Sequence, residues 1–91
     1  METRYEVTIR PRVLRQAKKM PMRERDLLAD LVEDLREFGP VLPHWKNYSV
    51  LSATEYHCHL SYHSLGRLLA TRKKTIEIEV YYAGSRENAP Y

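Results

Sequence analysis

Two histidines, two arginines and a tyrosine in the second half of the chain have side chains suited to chemistry on a phosphodiester. His57 and His59 stand two residues apart in a segment that alternates like a β-strand, so both should lie on one face of a sheet. The pKa of histidine is ordinarily near ~6.5, which suits proton transfer at neutral pH. Arg67 and Arg86 offer forked donors for phosphate oxygens, and Tyr91 offers a phenol.

Cleavage of RNA by its own 2′-hydroxyl is the reaction that these groups could serve. It needs a base to take the hydroxyl proton, a cation to stabilise the pentacoordinate phosphate, and an acid to protonate the leaving oxygen. The sequence predicts that His57 or His59 is the base or the acid, and that Arg67 and Arg86 stabilise charge. Tyr91 would orient the substrate, donate a proton or stack on a base.

Each of these residues also has an ordinary structural explanation. His57 and His59 are alternatively polar side chains on the solvent side of a strand. Arg86 could pair with the adjacent Glu87, and Tyr91 could be a frayed terminus. These alternatives stay open at the level of the sequence.

A metal site is a further alternative for the histidines. It would combine Cys58 with His57, His59 and His63. On a strand Cys58 points away from His57 and His59, and the spacing of the remaining histidine fits no zinc pattern. We therefore predict neither a metal nor a cofactor.

The charge of the chain is unevenly distributed. The net charge is +3, but residues 24–37 hold six of the 12 acids, which leaves the remainder basic. An asymmetric basic surface favours a polyanionic partner such as RNA, although it could equally serve solubility. The candidate RNA-binding residues form a helix face and a turn: Arg12, Arg15, Lys18 and Lys19, and Arg72, Lys73 and Lys74.

A strand and two helices are predicted for the first half of the chain. Residues 4–10 alternate like a half-buried strand, and Pro11 suits the first turn of a helix. Pro21 separates this helix from a second, which stops at Gly39-Pro40. The predicted apolar stripes are Val13, Leu14, Ala17 and Met20 in the first helix, and Leu27, Leu28, Leu31, Val32, Leu35 and Phe38 in the second.

A packed loop and three strands are predicted for the second half. Residues 40–54 have loop-like composition, and strands are predicted at 56–60, at 67–72 and from Thr75 to a stop at Gly84. In the last strand the alternation places one set of side chains inward: Ile76, Ile78, Val80 and Tyr82. It places another set outward: Glu77, Glu79 and Tyr81.

The predicted order, β-α-α-β-β-β, is typical of an α+β fold. We expect a single antiparallel-rich sheet with an N-terminal helical hairpin on one face. The other face would then be open to solvent and carry His57, His59, Arg67, Glu77 and Glu79.

The length and composition predict a single domain spanning residues 1–91. A chain of this size buries roughly 65% of its unfolded surface, enough for one modest core. The single cysteine excludes an internal disulfide. No apolar run has the length of a membrane span, so we expect a cytoplasmic protein without a membrane partner.

The motifs, in their order, resemble the RelE/ParE superfamily of toxins from toxin–antitoxin pairs, and in particular its RelE-like mRNA interferases. The matching motifs span essentially the whole chain: RYEVTIR, PRVLRQAKKMP, the helix end FGP, WKNYSVLSATE, YHCHL and EVYYAGSRENAPY. The resemblance implies a compact sheet with two N-terminal helices. It also implies metal-independent cleavage of mRNA in the decoding site of the small ribosomal subunit, which inhibits translation, and neutralisation by a cognate antitoxin.

The resemblance also implies roles for individual residues. The strand lysines of the best-known members fall at His57 and His59, the third-strand arginine at Arg67, the arginine after the last strand at Arg86, and the C-terminal tyrosine at Tyr91. Two other functions stay open: a ParE-like inhibitor of DNA gyrase, and an inactive relic that only binds RNA or a partner.

Overall fold

The computed structural model describes residues 5–61, 64–72 and 76–85, which form two helices and five strands. In chain order the elements are β1 (Glu6–Ile9), α1 (Pro11–Lys18), α2 (Met22–Phe38), β2 (Tyr48–Val50), β3 (Glu55–His59), β4 (Ser64–Arg72) and β5 (Ile76–Ser85). Both helices contribute to a core with one face of the sheet. The predicted α+β class, with a helical hairpin on one face, is thus confirmed.

The five strands form one mixed sheet in the order β1-β5-β4-β3-β2. The first strand pairs in parallel with the last, with Glu6 opposite Glu77 and Ile9 opposite Val80. All other neighbours are antiparallel. The last strand therefore lies inside the sheet, while β1 and β2 form its two edges.

The edge strand β2 lies in the segment that we predicted as loop. It pairs with β3, with Tyr48 opposite Cys58. Tyr48 stacks on Tyr56 at 5.6 Å between ring centroids, and its hydroxyl donates to the Pro40 carbonyl oxygen at 2.6 Å. Three residues are too few for alternation to be recognised, so pairing and aromatic packing define this strand rather than its own pattern.

The second helix ends where the sequence predicts. Gly39 has φ +81°, and its N–H donates to the Leu35 carbonyl oxygen at 2.9 Å. A Cβ at this position would lie 2.7 Å from the ring of Tyr5. Glycine is needed here both for the backbone angle and for the close approach of that ring.

The core lies between the helices and one face of the sheet. The fully buried side chains are Val13, Leu31, Leu35, Cys58, Leu68, Ile78 and Val80. Each large aliphatic side chain buried here contributes about 1.5–3 kcal/mol to folding. Two members of the predicted stripes, Leu14 and Phe38, are instead 52% exposed. Phe38 is the last residue of α2, and its ring contacts His44 edge-on rather than the core.

The segment between α2 and β2 is held against the helix by polar contacts. The Trp45 Nε1–H donates to Asp34 Oδ2 at 2.7 Å, and His44 Nε2 lies 3.2 Å from the same oxygen. The prediction that this segment packs down is therefore confirmed for Leu42, Trp45 and Tyr48, whereas Val41, Val50 and Leu51 are exposed. Neither helix in the described part of the chain is long and apolar enough to cross a membrane.

Candidate active site

The strand register brings three of the predicted site residues together on the face of the sheet that the helices leave uncovered. His57 on β3 lies directly opposite Arg67 on β4. His59 lies two residues further along β3, and its ring meets that of His57 edge-on at 4.8 Å between centroids. We refer to His57, His59 and Arg67 as the His–Arg cluster. Two proton-transfer groups and a cation thus lie side by side on a rigid surface.

A β-bulge in β5 adds a tyrosine to this surface. Arg67 pairs with Tyr82 but the next residue, Leu68, pairs with Val80, so Tyr81 is the extra residue of β5. The bulge reverses the alternation beyond it, and Ala83 rather than Tyr82 joins the main core. Tyr82 packs with Leu65 in a second, smaller cluster. Our prediction that Tyr82 points inward with Ile78 and Val80 was therefore wrong.

Tyr81 contacts both Arg67 and a carboxylate. The Arg67 guanidinium carbon lies 5.8 Å from the centroid of the Tyr81 ring, and the Tyr81 hydroxyl donates to Glu55 Oε1 at 2.7 Å. Burial, followed by the bond to Glu55, raises the pKa of Tyr81, while Arg67 opposes the rise. The phenol therefore stays protonated at neutral pH and connects the carboxylate to the cation.

The environment of His57 favours its neutral form. Burial, followed by the neighbouring His59 and Arg67, lowers the pKa of His57 below its ordinary 6.5. Its Nδ1 atom is buried and has no hydrogen-bond partner among the residues that the structure describes. A neutral imidazole beside a cation has the protonation state that a general base requires.

Arg67 is unusual for a charged residue because it is only 8% exposed. A buried cation is costly unless polar or aromatic groups compensate for the loss of water. The Tyr81 ring supplies such compensation, and its hydroxyl is held by Glu55. The arrangement gives Arg67 a defined position and direction, which a solvated arginine would lack.

The uncovered face is polarised along its length. Beyond the bulge lie Glu77 and Glu79, opposite Thr71 and Leu69 of β4. Arg10 donates to Glu79 Oε1 at 2.8 Å. The acids thus occupy one end of the face, and the His–Arg cluster occupies the other. A polyanion would meet a favourable potential only at the cluster.

The predicted basic residues of α1 that the structure describes lie outside the His–Arg cluster. Arg12, Arg15, Lys18 and Lys19 are exposed on α1 or immediately after it. Arg72 is the last residue of β4. Four predicted residues lie outside the described part of the chain: Lys73, Lys74, Arg86 and Tyr91.

Cys58 belongs to the core, not to the site. It is fully buried on the opposite face of β3 from the histidines, and burial raises the pKa of its thiol to about 12. Within residues 5–61, 64–72 and 76–85 there is no group of three or more His, Cys, Asp and Glu side chains arranged to hold a metal ion. His63 lies outside these ranges.

Glu55 and Tyr81 are the residues of this surface that sequence reasoning missed. Glu55 precedes His57 by two residues and shares its face, so the alternation of β3 could have included it. Alternation alone placed Tyr81 outward, but the bulge that sets it beside Arg67 is defined by the pairing with β4.

The architecture was compared with known proteins. No family model and no curated protein sequence matches the chain. A chain of the archaeal RelE–RelB complex from Pyrococcus horikoshii OT3 superposes with a TM-score of 0.71 at 16% identity, over 94% of this chain and 99% of that one. A chain of the YoeB dimer from Staphylococcus aureus superposes with a TM-score of 0.61 at 12% identity, over 91% and 98%. The chain has a RelE-like fold.

The RelE-like fold agrees with the resemblance carried by the sequence motifs. At these identities the likeness concerns the backbone, and it spans nearly all of both chains. In this RelE-like chain the His–Arg cluster lies on the uncovered face of β3 and β4. The side chains on that face, rather than the fold, therefore determine which reaction the protein could catalyse.

Proposed function

We propose that this protein is a RelE-like toxin that cuts mRNA on the ribosome and so inhibits translation. The observation that carries the proposal is the His–Arg cluster, in which two imidazole rings 4.8 Å apart lie beside an arginine on the uncovered face. These are the three kinds of group that attack by a 2′-hydroxyl requires. Such a reaction would take place in the cytoplasm, where translation occurs.

In the proposed reaction His57 is the base. Its lowered pKa keeps it neutral, so it can take the proton of a 2′-hydroxyl as that oxygen attacks the adjacent phosphorus. Arg67 would stabilise the additional negative charge of the pentacoordinate phosphate. His59, in its protonated form, would give a proton to the departing 5′-oxygen. The products are a 2′,3′-cyclic phosphate and a free 5′-hydroxyl, and the side chains accomplish the step without a metal.

Glu55 and Tyr81 would act through Arg67 rather than on the RNA. The hydroxyl of Tyr81 is fixed by Glu55, and its ring lies against the guanidinium. The pair would therefore hold the planar fork of Arg67 in the orientation that phosphate oxygens need. Arg86 and Tyr91, which the resemblance implies as site residues, would complete the site from the C-terminal end.

A protein antitoxin is the partner that we propose. The archaeal RelE structure contains RelB as its complex partner. By analogy, a cognate antitoxin would bind this toxin and keep it from the ribosome.

The decisive experiment maps mRNA ends in a cell-free translation reaction. The variants are His57→Gln with His59→Gln, and His44→Gln as the control. The His44→Gln control removes the same kind of side chain, but at a position beside Asp34 and away from the cluster. We expect new ends within translated codons with the wild type and the control, and none with the double variant. Intact mRNA with the wild type, or equal cleavage by the double variant, would overturn the proposal.

A further inference from the structure

A basic groove runs between α1 and the end of the sheet nearest the His–Arg cluster. Its volume is about 470 Å³. The helix side is formed by Arg12, Gln16 and Lys19, and the sheet side includes the first residue of β4, Ser64, and the last residues of β5. The groove is open to solvent, and no part of the site described above explains it.

The charged residues that line the groove in the described part of the chain are both cations. Arg12 and Lys19 are both exposed, and they are the charged residues among the described residues that line it. Neither forms an ion pair within the described part of the chain. Two cations that share a concave surface without a carboxylate create a site for an anion, because the low-dielectric walls concentrate their field.

The groove has a fixed shape. Gln16 Oε1 accepts a hydrogen bond from the Ala83 N–H at 3.2 Å, which fastens α1 to the last strand at the base of the groove. The Tyr82 hydroxyl donates to the Ser85 carbonyl oxygen at 2.6 Å, which holds the end of β5 in place. The two cations are therefore presented from a preorganised wall rather than from a mobile loop.

The groove lies at the end of the sheet that also carries Arg67. Tyr82 lines the groove and is also the cross-strand partner of Arg67. Ser64 precedes Arg67 by three residues on β4, which corresponds to about 10 Å along a strand and places the two side chains on opposite faces of the sheet. An RNA strand that passes over this end of the sheet from one face to the other can keep one phosphate at each position.

We propose that this groove binds a backbone phosphate of the same RNA strand whose neighbouring phosphodiester lies at the His–Arg cluster. Arg12 and Lys19 bind the phosphate, while Arg15 and Lys18 on the same helix segment do not. The inference rests on the proposed function for its choice of RNA. It divides the predicted basic helix face into two residues that hold substrate and two that are merely solvated.

The test measures binding to RNA that cannot be cleaved. Fluorescence anisotropy with a labelled single-stranded RNA, 2′-O-methylated throughout, is recorded from low to moderate salt. The groove variant is Arg12→Gln with Lys19→Gln, and the matched control is Arg15→Gln with Lys18→Gln. All four residues are exposed and both variants lose the same charge. Thermal unfolding establishes that both are folded.

We expect the groove variant to bind about tenfold more weakly, as is typical when a charge-assisted contact is lost. Its plot of log affinity against log salt should become shallower by about 0.7, the value for one phosphate contact on a single strand. The control should keep at least half of the wild-type affinity. Equal losses of affinity in the two variants, or no binding by the wild type at low salt, would overturn the assignment of the groove as a phosphate site.

Failure of the groove and failure of the cleavage mechanism give different results. Groove-dependent binding without new mRNA ends in the translation reaction would support the phosphate site and reject the enzyme. New mRNA ends together with equal losses of RNA affinity in the two variants would support the enzyme and reject the phosphate site.

Discussion

The two faces of the sheet are built by the same strands but satisfy different physical requirements. On the helix-covered face Cys58, Leu68 and Ile78 are at most 1% exposed and belong to the apolar core. On the uncovered face Arg67, at 8% exposed, is surrounded by rings and polar groups. The first face gains stability from burial. The second gives up some of that gain to hold a cation in a defined direction.

The two faces of the sheet constrain their residues to different degrees. Apolar packing tolerates exchanges between apolar side chains of similar volume. The His–Arg cluster has no such freedom, because burial, His59 and Arg67 together lower the pKa of His57. Substitutions on the two faces should therefore affect different measurements.

Leu35→Ala should produce the largest change in stability. Leu35 is fully buried in α2, and its truncation leaves a cavity in the core. We expect a loss of about 2–5 kcal/mol in the free energy of unfolding, measured by denaturant titration. Leu14→Ala is the control, since Leu14 is 52% exposed, and its effect should be within about 0.5 kcal/mol. Equal losses in both variants would contradict the assignment of the core.

Arg67→Gln should reduce the cleavage rate strongly and the stability only slightly, unlike Leu35→Ala. We expect the rate of mRNA cleavage to fall by about 10²–10³, since a positioned cation is removed from the developing charge. Stability should change far less than in Leu35→Ala, because the variant no longer buries a charge. The measurement is single-turnover cleavage on ribosomes. Arg36→Gln on α2, where Arg36 pairs with Glu33 at 2.8 Å, is the control and should leave the rate unchanged. A rate within threefold of wild type would remove Arg67 from the mechanism.

Tyr81→Phe should have a smaller effect, confined to the rate. The ring that contacts Arg67 is kept, but the hydrogen bond to Glu55 is lost. We expect the maximal cleavage rate to fall about tenfold with little change in the concentration that gives half-maximal rate. Tyr48→Phe is matched to it, because Tyr48 also donates a short hydrogen bond, but to the Pro40 carbonyl. That control should lose stability and keep its rate. A Tyr81→Phe variant that loses only stability would show a purely structural role.

The pH dependence of cleavage and of stability should show the smallest effect, and the one most specific to His57. Because the pKa of His57 is lowered in the folded state, the base form persists below pH 6.5, and cleavage should decline only at lower pH. The unfolded chain binds the proton more readily, so stability should fall as pH decreases from 6.5 through the lowered pKa.

Histidine NMR titration measures this pKa directly. His59→Gln should raise the pKa of His57, because it removes the neighbouring ring whose charge opposes protonation. A midpoint at or above 6.5 in the wild type would contradict the assignment of His57 as a neutral base.

The sequence could predict most of the fold and part of the site, for identifiable reasons. The alternation of β3 predicted the faces of His57, Cys58 and His59 because the strand is regular. The same rule failed in β5, since the bulge at Tyr81 depends on pairing with β4 and not on the pattern of β5 alone.

Contacts between distant segments explain the rest. The bond from Tyr81 to Glu55 joins residues 26 apart in the chain, and nothing local to either residue predicts it. The short strand β2 depends in the same way on β3. The roles of Arg86 and Tyr91 stay predictions, because those residues lie outside the described part of the chain.

The parallel pairing of the first strand with the last has a consequence for synthesis of the protein. β1 leaves the ribosome first, yet its partner β5 is the last strand to be made. The same strand supplies Tyr81, without which Arg67 lacks its aromatic support. The nascent chain therefore cannot complete either its sheet or its reactive surface until translation of β5 is finished. A chain that we propose to act on ribosomes thus stays incomplete while its own ribosome is still building it.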